Sequence, residues 1–209
     1  MIIEQLQKKY GDEMVLVIPS SAITCAPNKG PYYNEDEIDF CARKDAIPAF
    51  RWRAEVDLCY KQLVMYAVLR DESGRIFTTL RRGGDGRLVG RYSIGTGGHM
   101  QPGETFTEAL FRELAEEVGV TPDDMTTLSR AGYILDDSTL VNSVHLGVVW
   151  MVTVKDPDVV KVRETEKLSG EWTDRDVVET LYQSGSFEPW SMFVLEKMFE
   201  NSENSLTKE

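Results

Sequence analysis

The stretch from Gly97 to Val120, GGHMQPGETFTEALFRELAEEVGV, is the part of the 209-residue chain whose local structure the sequence specifies most fully. Thr105 and Glu108 have the T-x-x-E spacing of a capping box, in which each residue's side chain satisfies a free backbone N–H of the other. Gly119 lies where a helix commonly ends on a residue in the left-handed conformation. The sequence therefore predicts a helix that begins just after Thr105 and ends before Gly119.

The predicted helix has an apolar face and an acidic face. At 100° per residue, four apolar side chains form one stripe that we expect to face a β-sheet: Phe106, Leu110, Leu114 and Val118. Glu113, Glu116 and Glu117 cluster beside this stripe, where like charges repel by roughly a few tenths of a kcal/mol per pair. Such a cluster is either a solvated face, which is the commoner case, or a site for a hard cation such as Mg²⁺ or Mn²⁺, which takes oxygen ligands.

The order of residues across the whole segment favours the cation site. It follows the pattern G-x5-E-x7-R-E-U-x-E-E-x-G-U, where U is a bulky aliphatic residue, at Gly98, Glu104, Arg112, Glu113, Leu114, Glu116, Glu117, Gly119 and Val120. This pattern is the Nudix box, and the chain resembles the MutT-like Nudix hydrolases, in particular their larger members known as predicted phosphoesterases. Because every specified position matches, the signal is far more specific than a lone glycine motif.

The resemblance implies an α/β fold, in which a mixed β-sheet lies between helices as an α/β/α sandwich. The strand signals from Gln62 to Trp172 agree with this fold: QLVMYAVLRD and RIFTTLRR indicate a hairpin about the turn ESG, and two further β-rich runs follow the acidic helix. Helical spacing returns near the C-terminus, where Pro189 suits a first helical turn. We therefore assign residues 62–200 to a Nudix hydrolase domain and residues 201–209 to a polar, frayed tail.

Residues 1–61 fall outside the resemblance, and we expect them to form an N-terminal extension packed on or beside the core. Residues 1–10 suit a short helix, and an apolar run that follows suits a strand ended by Pro19. Residues 27–45 are rich in Pro, Gly, Asn and acidic side chains, which predicts a long loop.

The resemblance implies hydrolysis of a diphosphate (phosphoanhydride) bond, typically in a nucleoside diphosphate attached to another group, with Mg²⁺ or Mn²⁺ required. The metal-facing set that it implies consists of Gly98, through its carbonyl oxygen, Glu113, Glu116 and Glu117. Glu113 is a further ligand or the group that activates water, and Arg112 orients a glutamate, together with Glu104. The same three glutamates and Arg112 form the expected catalytic set.

Candidate substrate contacts lie outside the box. Arg81 and Arg82 belong to an arginine-rich hairpin in an otherwise acidic chain, and we expect them to touch the substrate's phosphates. In FRWRAE, Trp52 could stack on a base while Arg53 pairs with a phosphate. The simpler alternatives are solvated hairpin ends for the arginines and, for FRWRAE, a strand with one buried face.

Several other titratable residues are candidates for further roles or for the core. Glu164, Glu166 and Glu171 follow the late strands, a region from which Nudix enzymes often bring an extra carboxylate, and Glu171 is the favoured one of the three. His99 follows the paired glycines, but the box does not require a histidine there. His145 lies in an apolar run and is predicted to be a hydrogen-bonded core residue.

The amino-acid composition limits the classes of binding partner that we expect. A formal net charge of -12 argues against a large nucleic-acid surface, and no apolar run reaches the roughly 18 residues of a membrane span. The N-terminus lacks the order of a signal peptide, so we expect a cytoplasmic protein. The three cysteines, Cys25, Cys41 and Cys59, are expected to be reduced thiols rather than disulfide or zinc ligands. A homodimer is expected because Nudix proteins are commonly dimers.

Two other functions remain open at the level of sequence. The first is a Nudix-fold module that binds a nucleotide-like ligand without cleaving it. The intact Glu113, Glu116 and Glu117 argue against this possibility, because such a module would tolerate their loss. The second is an isoprenoid-diphosphate isomerase, whose characteristic flanking residues are not evident here. Loops and the N-terminal extension would select the substrate, and no motif identifies it.

Overall fold

A computed structural model of the protein describes residues 2–23, 32–33, 44–83, 86 and 88–206, with only the backbone described for 32–33 and 201–206. The helices are α1 (Ile2–Tyr10), α2 (Arg51–Ala54), α3 (Phe106–Val118), α4 (Leu140–Ser143), α5 (Arg175–Gln183) and α6 (Pro189–Leu206). The strands are β1 (Met14–Pro19), β2 (Tyr32–Tyr33), β3 (Ile47–Phe50), β4 (Tyr60–Asp71), β5 (Ile76–Arg81), β6 (Tyr92–Ser93), β7 (Gly95–Thr96), β8 (Met125–Ile134), β9 (His145–Val154) and β10 (Leu168–Thr173). Most of the predicted loop at 27–45, together with Cys25 and Cys41, lies outside the described residues, while Cys59 is an exposed free thiol.

Backbone hydrogen bonds join the strands into one large sheet. The order is β10-β5-β4-β9-β8-β2, with β1 pairing with β4 and β3, β6 with β5, and β7 with β4. The predicted α/β fold is therefore confirmed. By contacts the chain forms two compact units, one made of Met1–Tyr66, Gly97–Leu110 and Ala131–Val149, the other of Ala67–Thr96, Phe111–Arg130 and Trp150–Glu209. No helix in the described part of the chain has both the length and the apolarity that a bilayer span requires.

The first unit includes the N-terminal segment. β1 pairs antiparallel with β3 and with the start of β4, and its inward residues Val15 and Val17 form a small core with Ala54. Phe50 ends β3, and the Arg51 N–H still donates to the Glu13 carbonyl in register with the β1–β3 pairing. The chain then turns into α2, where Glu55 N donates to Arg51 O. The alternative of a half-buried strand for FRWRAE is therefore wrong.

The acidic helix has the predicted ends. α3 spans Phe106–Val118, and the Glu108 carboxylate accepts from Thr105 N and from Thr105 Oγ1, both at 2.8 Å. Gly119 follows with φ +75°. In the predicted stripe, Phe106 is half-buried, and the other members are at most 2% exposed: Leu110, Leu114 and Val118.

At the other end of the chain, α6 begins at Pro189 as predicted but includes residues 201–206 of the predicted tail. The stretch NSENSL contains neither Gly nor Pro, so nothing in it ends a helix.

Asp71 stabilises the turn of the β4–β5 hairpin, which lies in the second unit. This buried carboxylate accepts hydrogen bonds from Ser73 Oγ (2.7 Å), Arg75 N (2.9 Å) and Arg75 Nε (2.7 Å). Burial alone would raise the pKa of Asp71, but the hydrogen bonds from Ser73 and Arg75 outweigh it and hold the pKa below its ordinary value.

Replacing Asp71 by Asn should therefore lower the free energy of unfolding at neutral pH by about 1–3 kcal/mol, since hydrogen bonds to a charged group are lost. Because the folded-state pKa is lowered, this contribution is fully present above the ordinary Asp pKa of about 3.9 and disappears as the pH falls through the folded-state value. Urea unfolding of wild type and Asp71→Asn at pH 7 and in acid measures the difference. A difference that stays constant in acid would contradict the assignment.

Candidate active site

The Gly97–Gly98 turn lies against β4 in the first unit. Met65 N donates to Gly98 O (2.8 Å), and Met100 N donates to Leu63 O (2.9 Å). Gly97 has φ +142°, and a Cβ added there would lie 2.2 Å from the Met65 carbonyl oxygen. The turn therefore requires glycine at position 97. The Met65 N–H uses one of the two acceptor positions of Gly98 O, and the predicted metal contact of that oxygen stays a prediction.

Arg112 contacts two of the predicted metal ligands in the second unit. Its Nη1 lies 2.6 Å from Glu113 Oε1 and 3.2 Å from Glu116 Oε2. The Glu113 side chain is 9% exposed, whereas that of Glu116 is 59% exposed. One guanidinium thus holds a buried and a solvated carboxylate on the same side of α3. Glu104 accepts from Gln101 N (2.7 Å), and its predicted partnership with Arg112 stays a prediction.

Glu117 lies among like charges. Partial burial is the first cause that raises its pKa, and the negative charges of Glu113, Glu164 and Glu116 raise it further, while the positive charge of Arg81 opposes them. Three other carboxylates therefore act on Glu117 around the second half of α3. Additional positive charge at this place would favour the ionised form of Glu117.

A backbone connection explains how Glu164 joins this group. Lys161 N donates to Val118 O and Arg163 N to Glu117 O, both at 2.9 Å, so the segment before Glu164 is hydrogen-bonded to the end of α3. The sequence contains no local signal for these bonds, which join positions more than forty residues apart. The sequence therefore does not distinguish Glu164 from the other acidic residues after the late strands.

Glu171, the favoured extra carboxylate, lies elsewhere on the strand. It is an exposed residue of β10, opposite Thr78 of β5. Glu164 instead precedes β10, where its backbone carbonyl accepts from Lys167 N (2.9 Å) and Leu168 N (3.0 Å). The structure thus associates Glu164, rather than Glu171, with the acidic helix.

The predicted substrate residues belong to different units. Arg81, the last residue of β5, is half-buried and lies near enough to lower the pKa of Glu117, whereas Arg82 is exposed. Trp52 and Arg53 lie on α2 in the first unit. The Trp52 ring stacks on Phe50, with centroids 5.9 Å apart and 21° between the planes, and Arg53 is largely exposed, 4.0 Å from Asp57. Their contacts with a substrate stay predictions.

The two histidines meet in the first unit, which the sequence did not predict. His99 Nε2 lies 3.2 Å from His145 Nε2, and both lie with a carboxylate oxygen of Glu55 in a group whose ligand atoms are all within 4.8 Å of one another. His145 is 9% exposed and bonds to Val141 O (2.6 Å), so the prediction of a hydrogen-bonded core residue is confirmed. Burial lowers the pKa of His145 and favours its neutral form.

An α/β fold that carries this box on a helix is typical of hydrolases that act on phosphoanhydride bonds, and this protein is such an enzyme. Residues 60–192 match the sequence model of the NUDIX domain, and the chain belongs to the NUDIX family. The predicted resemblance is thereby confirmed.

Individual proteins with similar sequences or structures are consistent with membership of this family. YmaB of Bacillus subtilis is 30% identical over 199 residues, covering 88% of this chain and 97% of that protein. The 8-oxo-dGTP diphosphatase of Escherichia coli is 34% identical over 77 residues, covering 37% of this chain and 58% of that enzyme. The crystal structure of the Nudix protein Tm1382 superposes with a TM-score of 0.72 at 26% identity, covering 89% of this chain and 99% of that one.

Proposed function

We propose that the protein is a Mg²⁺- or Mn²⁺-dependent hydrolase that cleaves the diphosphate bond of a nucleoside diphosphate linked to a further group. The observation that carries the proposal is the placement of Glu117 beside Glu113, Glu116 and Glu164, where partial burial and then their negative charges raise the pKa of Glu117. A purely solvated acidic face would keep its carboxylates apart in water, whereas Glu113 is buried and Glu117 is half-buried.

The donor atoms around Glu117 suit a hard divalent cation, because all four acidic side chains offer oxygen and none of them offers nitrogen or sulfur. When bound, such an ion neutralises phosphate charge and makes a coordinated water more acidic. Enzymes of this family generally use a divalent metal. Glu116, Glu117 and Glu113 would hold the ion, with the Gly98 carbonyl as a further expected ligand.

The remaining residues of the site would position charge. Arg112 fixes Glu113 and Glu116 through its Nη1 contacts, so those two carboxylates are oriented before any ligand arrives. Arg81 carries a positive charge beside Glu117 and would bind an oxygen of the substrate's diphosphate. Glu113 or Glu164 would accept the proton of the attacking water, because both are carboxylates that act on Glu117.

One relative supports a nucleotide as the substrate but does not identify the group attached to it. The name 8-oxo-dGTP diphosphatase describes a nucleoside triphosphate hydrolase, but that similarity covers 37% of this chain. The attached group is therefore left open in the proposal. A cytoplasmic location and a homodimer likewise stay predictions.

The test is a substrate panel with the purified full chain. Nucleotide sugars, dinucleoside polyphosphates, oxidised nucleotides and nucleotide cofactors are incubated with Mg²⁺, with Mn²⁺ or with chelator, in water enriched in ¹⁸O. We expect metal-dependent cleavage of at least one compound, with ¹⁸O in one phosphate product. Tight binding of one compound without cleavage would favour the non-catalytic module. Conversion of isopentenyl diphosphate into its isomer, with no hydrolysis in the panel, would favour the isomerase.

Replacing Arg81 by Gln should raise KM for the substrate by about 10-fold to 100-fold, since a hydrogen bond to a charged group contributes about 1.5–3 kcal/mol. The matched control is Arg82→Gln, which removes an adjacent but exposed arginine. Steady-state kinetics on the identified substrate measure both variants. If both substitutions raised KM equally, Arg81 would make no contact with the substrate that distinguishes it from Arg82.

A further inference from the structure

The chain contains only two histidines in 209 residues, and the fold brings them together. His99 and His145 are 46 positions apart in sequence, yet their Nε2 atoms are 3.2 Å apart. Their rings are steeply inclined, with centroids 5.2 Å apart and 62° between the planes. We propose that His99, His145 and Glu55 bind a transition-metal cation of the zinc class, at a site that shares no side chain with the acidic helix.

The orientation of His145 is that of a metal ligand. Its Nδ1 lies 2.6 Å from the Val141 carbonyl oxygen, which can only accept a hydrogen, so Nδ1 carries the hydrogen of the neutral ring. The lone pair is then on Nε2, which faces His99. A hydrogen bond from the distal nitrogen to a backbone carbonyl is the usual way in which a protein fixes the tautomer of a metal-binding histidine.

The spacing of the nitrogens fits one shared ion. Two imidazole nitrogens bound at 2.0–2.1 Å to a tetrahedral zinc ion are about 3.3 Å from each other. The observed separation of 3.2 Å is within about 0.2 Å of this value. Glu55 supplies the oxygen ligand: its carboxylate lies within 4.8 Å of both nitrogens, and among the described residues it forms one ion pair, at 3.4 Å from Arg51 Nε.

Gln62 provides an independent observation. This side chain is completely buried, its Nε2 lies 3.2 Å from His145 Nε2, and its Oε1 makes no hydrogen bond within the described part of the chain. His145 Nε2 has one lone pair, while two nitrogens, from Gln62 and His99, lie at hydrogen-bonding distance from it. Rotation of the Gln62 amide exchanges its oxygen and nitrogen, so that the oxygen would face the histidine nitrogens and a cation bound to them.

The surrounding charges permit a cation. Arg51 and Lys61 carry the positive charges that act on His145, and Glu55 carries the negative one. Each of the two cations has its own carboxylate partner: Arg51 Nη1 lies 2.7 Å from Glu13, and Lys61 Nζ lies 2.6 Å from Asp137. Their charge is therefore largely balanced, and Glu55, which pairs with Arg51 at the longer distance of 3.4 Å, is the carboxylate nearest the histidines.

Ligand chemistry distinguishes this site from the acidic helix. Two imidazoles and a carboxylate favour zinc and its neighbours, whereas Mg²⁺ and Mn²⁺ prefer sites built from oxygen alone. A bound ion would also cross-link three distant stretches of the first unit, at residues 55, 99 and 145. We therefore expect zinc to raise the thermal stability of the protein.

The experiment uses the full chain without an affinity tag. Protein is dialysed against Zn²⁺, and the metal is quantified by mass spectrometry for wild type, His99→Gln, His145→Gln and Glu117→Gln. We expect one zinc ion per wild-type chain and per Glu117→Gln chain, with affinity at least tenfold weaker in both histidine variants. His99 is half-buried, so its variant remains informative if His145→Gln fails to fold. Zinc should raise Tm of the wild type and leave Tm of His99→Gln unchanged.

The imidazole NMR signals give a second readout, because only two histidines contribute. Zinc should shift the ¹⁵N resonance of Nε2 in both rings. Three results would overturn the proposal: no zinc retained by the wild type, zinc lost in Glu117→Gln but retained in His99→Gln, or a shift confined to one ring.

Discussion

Replacing Glu117 by Gln is expected to reduce kcat/KM on the identified substrate at least about a hundredfold while leaving the fold as stable as before, or more stable. A metal ligand contributes several kcal/mol of charge stabilisation in the transition state, and about 2.7 kcal/mol corresponds to a hundredfold. Glutamine keeps the shape of the side chain but removes the charge. The repulsion from Glu113, Glu116 and Glu164, which raises the pKa of Glu117, is relieved at the same time.

The two effects are measured separately, by steady-state kinetics with saturating Mg²⁺ and by thermal unfolding without metal. Glu108→Gln is the control on the same helix. Its carboxylate caps α3 through Thr105, so its replacement should lower Tm and leave turnover near the wild-type value. The opposite responses distinguish a metal ligand from a cap. A turnover rate of Glu117→Gln close to that of the wild type would contradict the assignment of Glu117 as a metal ligand.

Local signals explain which parts of the fold the sequence predicted. α3 has a capping box at its start and Gly119 at its end, and both lie within one turn of the helix they delimit. The hairpin of β4 and β5 turns at residues 72–74, as ESG indicated. In these cases the residues that decide the conformation are also neighbours in the chain, so their pattern is sufficient.

The features of the site that the sequence did not predict depend on contacts between residues that are distant in the chain. Glu164 reaches Glu117 only because Arg163 N and Lys161 N donate to carbonyls at the end of α3. The meeting of His99 and His145 depends on a bridge between Val64 and His99, which lie 35 positions apart, and on the start of β9. A single sequence contains no record of such pairings, because neither side chain pattern nor spacing determines which backbone groups bond across the fold.

The segment FRWRAE, residues 50–55, shows that a local side-chain pattern also fails to determine the backbone conformation over a short stretch. Alternating aromatic and arginine residues suit a strand, and Arg51 N still continues the β1–β3 pairing by donating to the carbonyl of Glu13. The strand nevertheless ends there, because Glu55 N closes a helical turn onto Arg51 O. Alternation of side chains predicts a strand but does not indicate where the strand ends. The Trp52 ring stacks on Phe50, and its predicted contact with a base stays a prediction.

Replacing Gly97 by Ala is expected to have the largest effect on stability, because the added methyl group would meet backbone rather than a side chain. The Cβ would lie 2.2 Å from Met65 O and 2.9 Å from Met65 C, and neither atom can move without displacing β4. Positive φ contributes about 1–3 kcal/mol and overpacking about 1–3 kcal/mol. The expected loss in the free energy of unfolding is therefore roughly 2–6 kcal/mol, towards the upper end since a main-chain carbonyl is the obstacle.

Gly103→Ala is the matched control in the same loop. Gly103 also has positive φ, +89°, but a Cβ added there has nothing within 4 Å, so this variant should lose only the conformational part. Urea unfolding of the two variants gives the steric contribution by difference. If the losses were equal, the close approach of Gly97 to Met65 would have no energetic consequence. A larger loss in Gly97→Ala, together with weaker zinc binding, would indicate that the turn also positions His99.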